Sequence, residues 1–360
     1  MSAIRRRESH PVQVGSLTIG GTAPVVIQSM TNTKTADSAA TLVQIAALAE
    51  AGCEMVRVAI PDREAAAALR VINAKSPIPV VADIHFDVEL AMLAIEHGAA
   101  KIRINPGNLG GKEKLLALAE KAAERAVPVR IGVNAGSLER SLLKKYGGPT
   151  PEALAESALN YLAILEKTEL KNLVVSMKAS DVYTTIAANR IFAAKSNAPL
   201  HLGVTEAGPP EVGIIKGAVG LGTLLAEGIG DTIRVSLTAS PVEEIGVARQ
   251  ILQALGLRIF TPELISCPTC GRCEADLVPL VKAAAKLLDN YPLPIRVAVM
   301  GCAVNGPGEA READLGISAG RKQGILFRHG KVIRTVDQDY LLEALEKELA
   351  GLLASQEQSS

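Results

Sequence analysis

Residues 80–105 read VVADIHFDVELAMLAIEHGAAKIRIN, and this stretch decides the fold. Its two ends, Val80–Ile84 and Lys101–Asn105, are short β-branched runs that predict strands. Between them, Asp87–His97 carries apolar residues at helical spacing, which predicts an amphipathic helix. Parallel strands need a long crossover connection, so a strand, a helix and a second strand in this order indicate a parallel βαβ unit.

The same unit recurs from about residue 25 to about residue 255. Helical segments such as Ser38–Ala51 and Lys112–Arg125 separate the predicted strands. The eight strands are expected at Val25–Met30, Met55–Ile60, Val80–Ile84, Lys101–Asn105, Val129–Asn134, Leu173–Lys178, Leu200–Thr205 and Thr232–Leu237. Eight alternating strands and helices over ~230 residues match a closed (β/α)8 TIM-type barrel. An open doubly wound sheet is the alternative, but no Gly-x-Gly-x-x-Gly turn follows the first strand.

A smaller α+β module is expected to follow the barrel, so the fold class is α/β with two domains. The barrel is assigned to residues 1–256, a linker to 257–266, the α+β module to 267–353 and a frayed polar tail to 354–360. The helices of the module are expected from about Ala275 to Asp289 and from Asp339 to about Leu353. Its strands are expected at Ile295–Met300, Leu315–Ser318, Gly324–Arg328 and Val332–Val336.

Polar side chains gather at the carboxyl ends of the predicted barrel strands, which face the active-site mouth of such a barrel. The bases there are Arg57, Arg103, Arg130, Lys178 and Arg234, and the neutral polar residues are Asn105, Asn134, Ser176 and Ser236. Converging cations are costly without counter-charge, and a substrate with more than one phosphate would supply it. The alternative is that each base pairs with a nearby carboxylate and serves structure only.

Two carboxylates, Asp83 and Glu206, are predicted to act in catalysis. Glu206 is expected to be the acid–base group and Asp83 to hold a substrate hydroxyl. An ion pair with a neighbouring arginine is the alternative for Asp83. His85 is expected either to donate to phosphate or to cap its strand.

The remaining single histidines and the first cysteine lack a supporting constellation. His97, His201 and His329 are expected to be structural, and Cys53 is expected to be a small buried side chain.

Four of the five cysteines lie in two turns rich in Gly and Pro, CPTCGRC (267–273) and GCAVNGPGE (301–309). Clustered thiols in such turns are typical of metal sites. Zinc is one reading, but Cys302 lacks the second Cys-x-x-Cys of a zinc ribbon. A thioredoxin-type dithiol would need no third thiol. Three thiolates and one carboxylate favour a 4Fe–4S cluster, although the spacing alone does not decide between Cys273 and Glu309 as the remaining ligand.

Composition narrows the classes of function. Lys and Arg number 38, as do Asp and Glu, and aromatic residues make up 2% with no Trp, which argues against nucleic-acid binding. No apolar run reaches the length of a membrane span, and the basic N-terminus lacks the apolar core of a signal peptide. A cytoplasmic protein is expected, and a reducing compartment favours metal-binding thiols over disulfides.

Six motifs together resemble the bacterial 4-hydroxy-3-methylbut-2-en-1-yl diphosphate synthases over nearly the whole chain. They are VIQSMTNT (26–33), ADIHF (82–86), KIRINPGN (101–108), IGVNAGS (131–137), CPTCGR (267–272) and VNGPGE (304–309). The resemblance implies an iron–sulfur oxidoreductase of the non-mevalonate isoprenoid pathway. Its substrate would be 2-C-methyl-D-erythritol 2,4-cyclodiphosphate, reductively opened and dehydrated to 4-hydroxy-3-methylbut-2-enyl diphosphate with two electrons from flavodoxin or ferredoxin.

The resemblance also implies a ligand set and an assembly. The 4Fe–4S cluster would be held by Cys267, Cys270, Cys302 and Glu309, with Cys273 outside the set. Displacement of Glu309 would open one iron, which gives this residue a catalytic role as well. The family further implies a head-to-tail homodimer, in which the cluster domain of one subunit caps the barrel of the other. A lyase with a structural zinc module and an electron carrier without a substrate are the alternatives from other classes.

Overall fold

A computed structural model describes residues 4–273, 275–291, 293–302, 308 and 310–357. The chain divides after Arg258 into two compact units. The first contains the barrel and the second a five-stranded sheet. Among the described residues, no helix combines the length and apolarity needed to cross a membrane.

The first unit is built around eight parallel strands. They are β3 (Val26–Met30), β4 (Met55–Ala59), β5 (Val80–Ile84), β6 (Lys101–Ile104), β7 (Val129–Asn134), β8 (Leu173–Lys178), β9 (His201–Leu202) and β10 (Thr232–Ile233). Their order is β8-β7-β6-β5-β4-β3-β10-β9, and a parallel bridge between Val175 and Leu200 joins the two ends. The predicted TIM-type barrel is thus confirmed, and the carboxyl ends of all eight strands meet at one mouth.

Nine helices of the first unit are described. They are α1 (Ser38–Glu50), α2 (Arg63–Lys75), α3 (Val88–Glu96), α4 (Lys112–Glu124), α5 (Arg140–Tyr146), α6 (Pro151–Leu165), α7 (Val182–Ala193), α8 (Pro210–Ala226) and α9 (Pro241–Ala254). Side-chain caps set several beginnings: Asp37, Asp62, Asp87 and Asp181 each accept a hydrogen bond from a backbone N–H of the first turn. Two helices, α5 and α6, connect β7 to β8 where one was expected.

A hairpin that the sequence did not predict packs against the barrel. Its strands, β1 (Val12–Val14) and β2 (Leu17–Ile19), pair antiparallel around Gly15, whose φ of +55° favours glycine. Val12, Val14 and Ile19 are buried against residues that include Val26 and Met55, at the amino ends of their strands. This apolar cluster fills the end of the barrel opposite the mouth.

The last two barrel strands are shorter than predicted. Beyond the ends of β9 and β10 the backbone makes isolated hydrogen bonds in place of a regular strand pairing. Thr205 N donates to Ala179 O after β9, and Arg234 N donates to Leu202 O after β10. Residues 203–206 and 234–237 are therefore loop segments at the mouth, where their backbone can bend toward a ligand.

The second unit is a mixed sheet with helices. Its elements are β11 (Glu263–Ser266), α10 (Leu277–Leu288), β12 (Arg296–Met300), β13 (Leu315–Ser318), β14 (Gln323–Arg328), β15 (Lys331–Asp337) and α11 (Leu341–Glu357). The strands lie side by side in chain order. The pairs β11–β12 and β12–β13 are parallel, and the pairs β13–β14 and β14–β15 are antiparallel. Two features differ from expectation: β11 lies in the segment assigned to a linker, and α11 continues into the segment assigned to a frayed tail. Strand β11 is ordered by its pairing with β12, and α11 is extended by further helical hydrogen bonds.

Candidate active site and cysteine pocket

Asp83 is the centre of a charged network inside the barrel. It is 2% exposed, and its Oδ1 lies 3.0 Å from Arg103 Nη1, while its Oδ2 lies 3.5 Å from Arg57 Nε and 3.3 Å from His85 Nε2. Burial alone would raise the pKa of Asp83, but Arg57, the hydrogen bond with His85 and then Arg103 hold it well below its usual range. This carboxylate stays ionised and fixes three side chains at the mouth.

Three further cations in the barrel have no carboxylate partner among the described residues. Arg130, Lys101 and Lys178 are each 6% exposed or less, and the buried Lys101 Nζ, Arg130 Nε and Arg130 Nη1 lack any hydrogen-bond partner in the described part of the protein. Burial first, and then neighbouring cations, lowers the pKa of all three well below its usual value. Unpaired buried cations are strongly unfavourable, so this part of the barrel interior lacks the negative charge that would stabilise it.

Arg234 is held from the outer layer of the barrel. Its Nε lies 3.6 Å from Glu244 Oε2, a buried carboxylate on α9 that also accepts from Ser29 Oγ (3.1 Å) and the backbone N–H of Leu237 (3.0 Å). On the other side, the Met30 sulfur accepts from Arg57 Nη2 at 3.0 Å and lies 3.7 Å from Arg234 Nη1. Glu244 and Met30 thus orient two of the predicted phosphate-binding arginines.

A cleft of about 410 Å³ opens at the mouth, and its lining includes His85, Asn105, Asn134 and Glu206. Asn105 Nδ2 donates to Ser137 Oγ at 2.7 Å, which fixes its amide. Glu206 adopts a φ of +54°, a left-handed backbone conformation that costs about 1–3 kcal/mol for a residue other than Gly. Such strain is common at functional sites, and here it falls on the residue predicted to transfer protons.

The structure places the barrel residues of the predicted site as follows. Arg57, Asp83, Arg103, Arg130, Asn134, Ser176 and Lys178 lie on strands β4 to β8, and His85, Asn105, Glu206, Arg234 and Ser236 lie in the segments that follow β5, β6, β9 and β10. Ser176 is buried with its Oγ 3.5 Å from Ile131 O, and Ser236 is half-buried.

All four thiols of the two cysteine motifs line one cavity of about 140 Å³ in the second unit. Cys267 and Cys302 follow β11 and β12, whose carboxyl ends are neighbours because the strands are parallel. The backbone N–H of Gly301 donates to Cys267 Sγ at 3.4 Å. No three His, Cys, Asp or Glu side chains of the described ranges are grouped closely enough for one metal ion. The predicted ligand Glu309 lies outside the described residues.

Cys273 differs from the other thiols in its contacts. Its Sγ donates to Ala275 O at 3.2 Å, and a Cβ built on Gly301 would lie 2.6 Å from the same sulfur. Gly301 is therefore the residue that allows the Cys273 side chain to pack here.

Two family models match the chain. One, described as the GcpE TIM-barrel domain, matches residues 9–249, and the other, described as the GcpE protein C-terminal domain, matches residues 263–351. The chain belongs to the GcpE family. The family that the six motifs predicted is confirmed by relatives named 4-hydroxy-3-methylbut-2-en-1-yl diphosphate synthase (flavodoxin). The relative from Geobacillus thermodenitrificans is 55% identical and covers 97% of this chain and 93% of its own length.

Two more relatives carry the same name. Those from Bacillus subtilis and Clostridium perfringens are 53% and 54% identical, cover 96% of this chain, and are themselves covered to 91% and 99%.

Solved structures add the barrel fold alone. Dihydropteroate synthase of Yersinia pestis has a TM-score of 0.50 at 11% identity, covering 68% of this chain and 98% of its own. Type I 3-dehydroquinate dehydratase of Clostridium difficile has a TM-score of 0.50 at 13% identity, covering 69% and 98%.

Two buried charged residues, Lys101 and Glu244, were not predicted as part of the site. Lys101 was overlooked although it lies two residues before Arg103 on the same strand face, a spacing that could have revealed it. Glu244 is on a helix, where an acidic residue normally faces solvent. His201, which was expected to be structural, is fully buried, and its Nε2 lies 3.1 Å from Lys178 Nζ.

Proposed function

We propose that this chain opens 2-C-methyl-D-erythritol 2,4-cyclodiphosphate reductively and dehydrates it to 4-hydroxy-3-methylbut-2-enyl diphosphate. The family supports the reaction, since its members that match here are synthases of that product. The observation that carries the proposal is the excess of buried cations in the barrel. Arg130 and Lys178 lie at the mouth without a carboxylate partner among the described residues, as expected of a site completed by a diphosphate.

The five basic side chains at the mouth bind the diphosphate. Arg57, Arg103, Arg130, Lys178 and Arg234 supply charge and donors, and His85, Asn105, Asn134, Ser176 and Ser236 complete the shell. Asp83 and Glu244 keep several of the guanidinium groups oriented before the ligand arrives. Preorganised donors of this kind hold the substrate in place with little reorganisation.

The cysteine pocket fits a polynuclear iron–sulfur cluster. Four thiols line one cavity, and cysteine thiolates are the usual ligands of such clusters. Cys267, Cys270 and Cys302 would hold a 4Fe–4S cluster with Glu309, the set that the family resemblance implies, while the Cys273 thiol donates to Ala275 O. When bound, the cluster supplies electrons one at a time and a Lewis-acidic iron. The N–H of Gly301 donates to a ligand sulfur, a contact that tunes such clusters.

Two carboxylates handle protons and hydroxyls in this proposal. Glu206 lines the cleft in a strained conformation and transfers a proton to the departing oxygen. Asp83 remains ionised and accepts a hydrogen bond from a substrate hydroxyl while it orients Arg57 and Arg103.

The assembly and the electron source are part of the same proposal. The relatives are named as flavodoxin-dependent synthases, which supports flavodoxin as the electron donor in preference to ferredoxin. A head-to-tail homodimer would bring the cysteine unit of one subunit to the barrel mouth of the other. We place the enzyme in the cytoplasm, where thiols stay reduced.

Substrate binding by the Arg130→Ala variant tests whether these bases bind the diphosphate. We expect the cyclodiphosphate to raise the thermal midpoint of the wild-type protein, and inorganic phosphate at the same concentration to leave it nearly unchanged. Arg130→Ala should lose most of that increase. Exposed Arg63, which pairs with Glu89 on the outer surface, provides the matched control Arg63→Ala. Equal stabilisation of Arg130→Ala and wild type would refute the proposed binding mode.

A further inference from the structure

A fully buried histidine lies beside the cations of the barrel. His201 begins β9 between Lys178 of β8 and Thr232 of β10. Its Nε2 lies 3.1 Å from Lys178 Nζ, and its Nδ1 lies 2.8 Å from Thr232 Oγ1. The imidazole therefore links polar side chains of three neighbouring strands.

The hydrogen-bond pattern fixes the chemical form of this imidazole. A bound anion favours the charged form of Lys178, and an ammonium group can only donate, so Nε2 then accepts. The ring hydrogen then resides on Nδ1, which donates to Thr232 Oγ1. Burial first, and then the nearby Arg130 and Lys178, lowers the pKa of His201 well below its usual value. The ring is thus a neutral acceptor within a cationic layer.

Lys178 depends on this acceptor. In the part of the chain that the structure describes, His201 Nε2 is the only hydrogen-bond partner of Lys178 Nζ. An ammonium group has three donors, so two remain for a bound anion. Gly203 leaves space for the group, because a Cβ there would lie 2.5 Å from Nζ.

We propose that His201 is a positioning residue, which holds the Lys178 ammonium for the diphosphate through the chain Lys178–His201–Thr232. This inference rests on the proposed function. A lysine side chain without an anchoring acceptor samples several rotamers, and ordering them on binding weakens affinity. His201 acts through Lys178 alone and does not touch the substrate.

A double-mutant cycle on pyrophosphate binding tests the proposal. The full-length protein, purified anaerobically, is titrated with inorganic pyrophosphate, and KM and kcat for the cyclodiphosphate are measured in parallel. We expect His201→Leu to weaken pyrophosphate binding by about tenfold, as for one hydrogen bond to a charged group. The loss should appear in KM more than in kcat. His201→Gln, which keeps an acceptor and a donor, should recover most of the affinity.

Two further variants, Lys178→Met and His97→Leu, distinguish a role in positioning Lys178 from a purely structural role of His201. In Lys178→Met, adding His201→Leu should cause no further loss, because the two residues act as one unit. His97→Leu removes a half-buried histidine that bonds Ala66 O on the outer layer, and it should leave pyrophosphate affinity unchanged. Additive losses in the double variant would overturn the inference. Pyrophosphate binding by Lys178→Met as tight as by wild type would overturn the diphosphate grip and this inference with it.

A spectroscopic measurement avoids any dependence on variant folding. Nitrogen-15 spectra of the histidine-labelled wild-type protein with pyrophosphate should show a protonated Nδ1 and an unprotonated Nε2 for His201, unchanged from pH 6 to pH 8. A ring hydrogen on Nε2, or a cationic imidazole in this range, would contradict the proposed chain.

Discussion

Asp83 and Arg103 face each other on neighbouring strands inside the barrel, with Oδ1 and Nη1 3.0 Å apart and both side chains at most 5% exposed. The same carboxylate lies 3.5 Å from Arg57 Nε. One buried anion therefore organises two of the five bases at the mouth. Removing it would leave both guanidinium groups among other cations.

Asp83→Asn is therefore expected to destabilise the barrel strongly. Loss of one member of a buried ion pair costs about 3–5 kcal/mol, to be measured by urea unfolding at pH 7. Glu89→Gln, which breaks the exposed pair with Arg63, should cost about 1 kcal/mol or less. Because the pKa of Asp83 is lowered in the folded protein, its contribution is complete above about pH 4 and declines as pH falls through the folded pKa. Equal stability of the Asp83→Asn and Glu89→Gln variants would contradict this role.

Gly203→Ala is expected to weaken anion binding. A Cβ at this position would lie 2.5 Å from Lys178 Nζ and 2.9 Å from the carbonyl oxygen of Arg234, so the ammonium must move. We expect about a tenfold rise in KM for the cyclodiphosphate, the effect of about 1.4 kcal/mol in lost binding. Gly222→Ala on α8 is the control, since nothing lies within 4 Å of its added Cβ. An unchanged KM in Gly203→Ala would show that Lys178 does not need its present position.

Much of this arrangement could be predicted from the sequence, and the reasons differ by element. The alternation of Asp83 with Ile84 and of Arg103 with Ile104 identified strands with polar inward faces, and the parallel barrel then brought the strand ends together. The motifs predicted the family directly. The assignment of substrate-binding and catalytic roles to individual side chains stays a prediction.

The remaining features depend on tertiary contacts that a local pattern does not encode. The β1–β2 hairpin has strands of three residues each and is stable only because Val12 and Ile19 pack under the barrel. Strand β11 has a mixed burial pattern and is ordered by β12. Glu244 was missed because its partners, Ser29 and Arg234, are distant in sequence.

Glu244→Gln is expected to loosen Arg234. The carboxylate accepts from Ser29 Oγ and Leu237 N and lies 3.6 Å from Arg234 Nε, and Gln supplies no negative charge. We expect the loss of this ion pair to raise KM for the cyclodiphosphate by about tenfold, the effect of about 1.4 kcal/mol in lost binding. Glu243→Gln changes the adjacent exposed carboxylate and should leave KM unaltered. Equal KM values for the two variants would refute the positioning role of Glu244.

Two cysteine variants should differ in iron content. Cys273 donates to Ala275 O and is not assigned as a ligand, so Cys273→Ala should retain about four iron atoms per chain after anaerobic purification. Cys302→Ala should lose much of the iron and sulfide, because one of the proposed thiolate ligands is removed. Chemical analysis of iron and sulfide gives the result. Loss of iron in Cys273→Ala together with its retention in Cys302→Ala would reverse the proposed ligand set.

Anaerobic turnover of 2-C-methyl-D-erythritol 2,4-cyclodiphosphate tests the central claim most directly. The protein, fully loaded with iron and sulfide, is supplied with reduced flavodoxin or dithionite, and the products are identified by mass spectrometry. We predict formation of 4-hydroxy-3-methylbut-2-enyl diphosphate with the consumption of two electrons per molecule, as the proposed reaction requires. Absence of this product from the iron-loaded protein would contradict the proposed function.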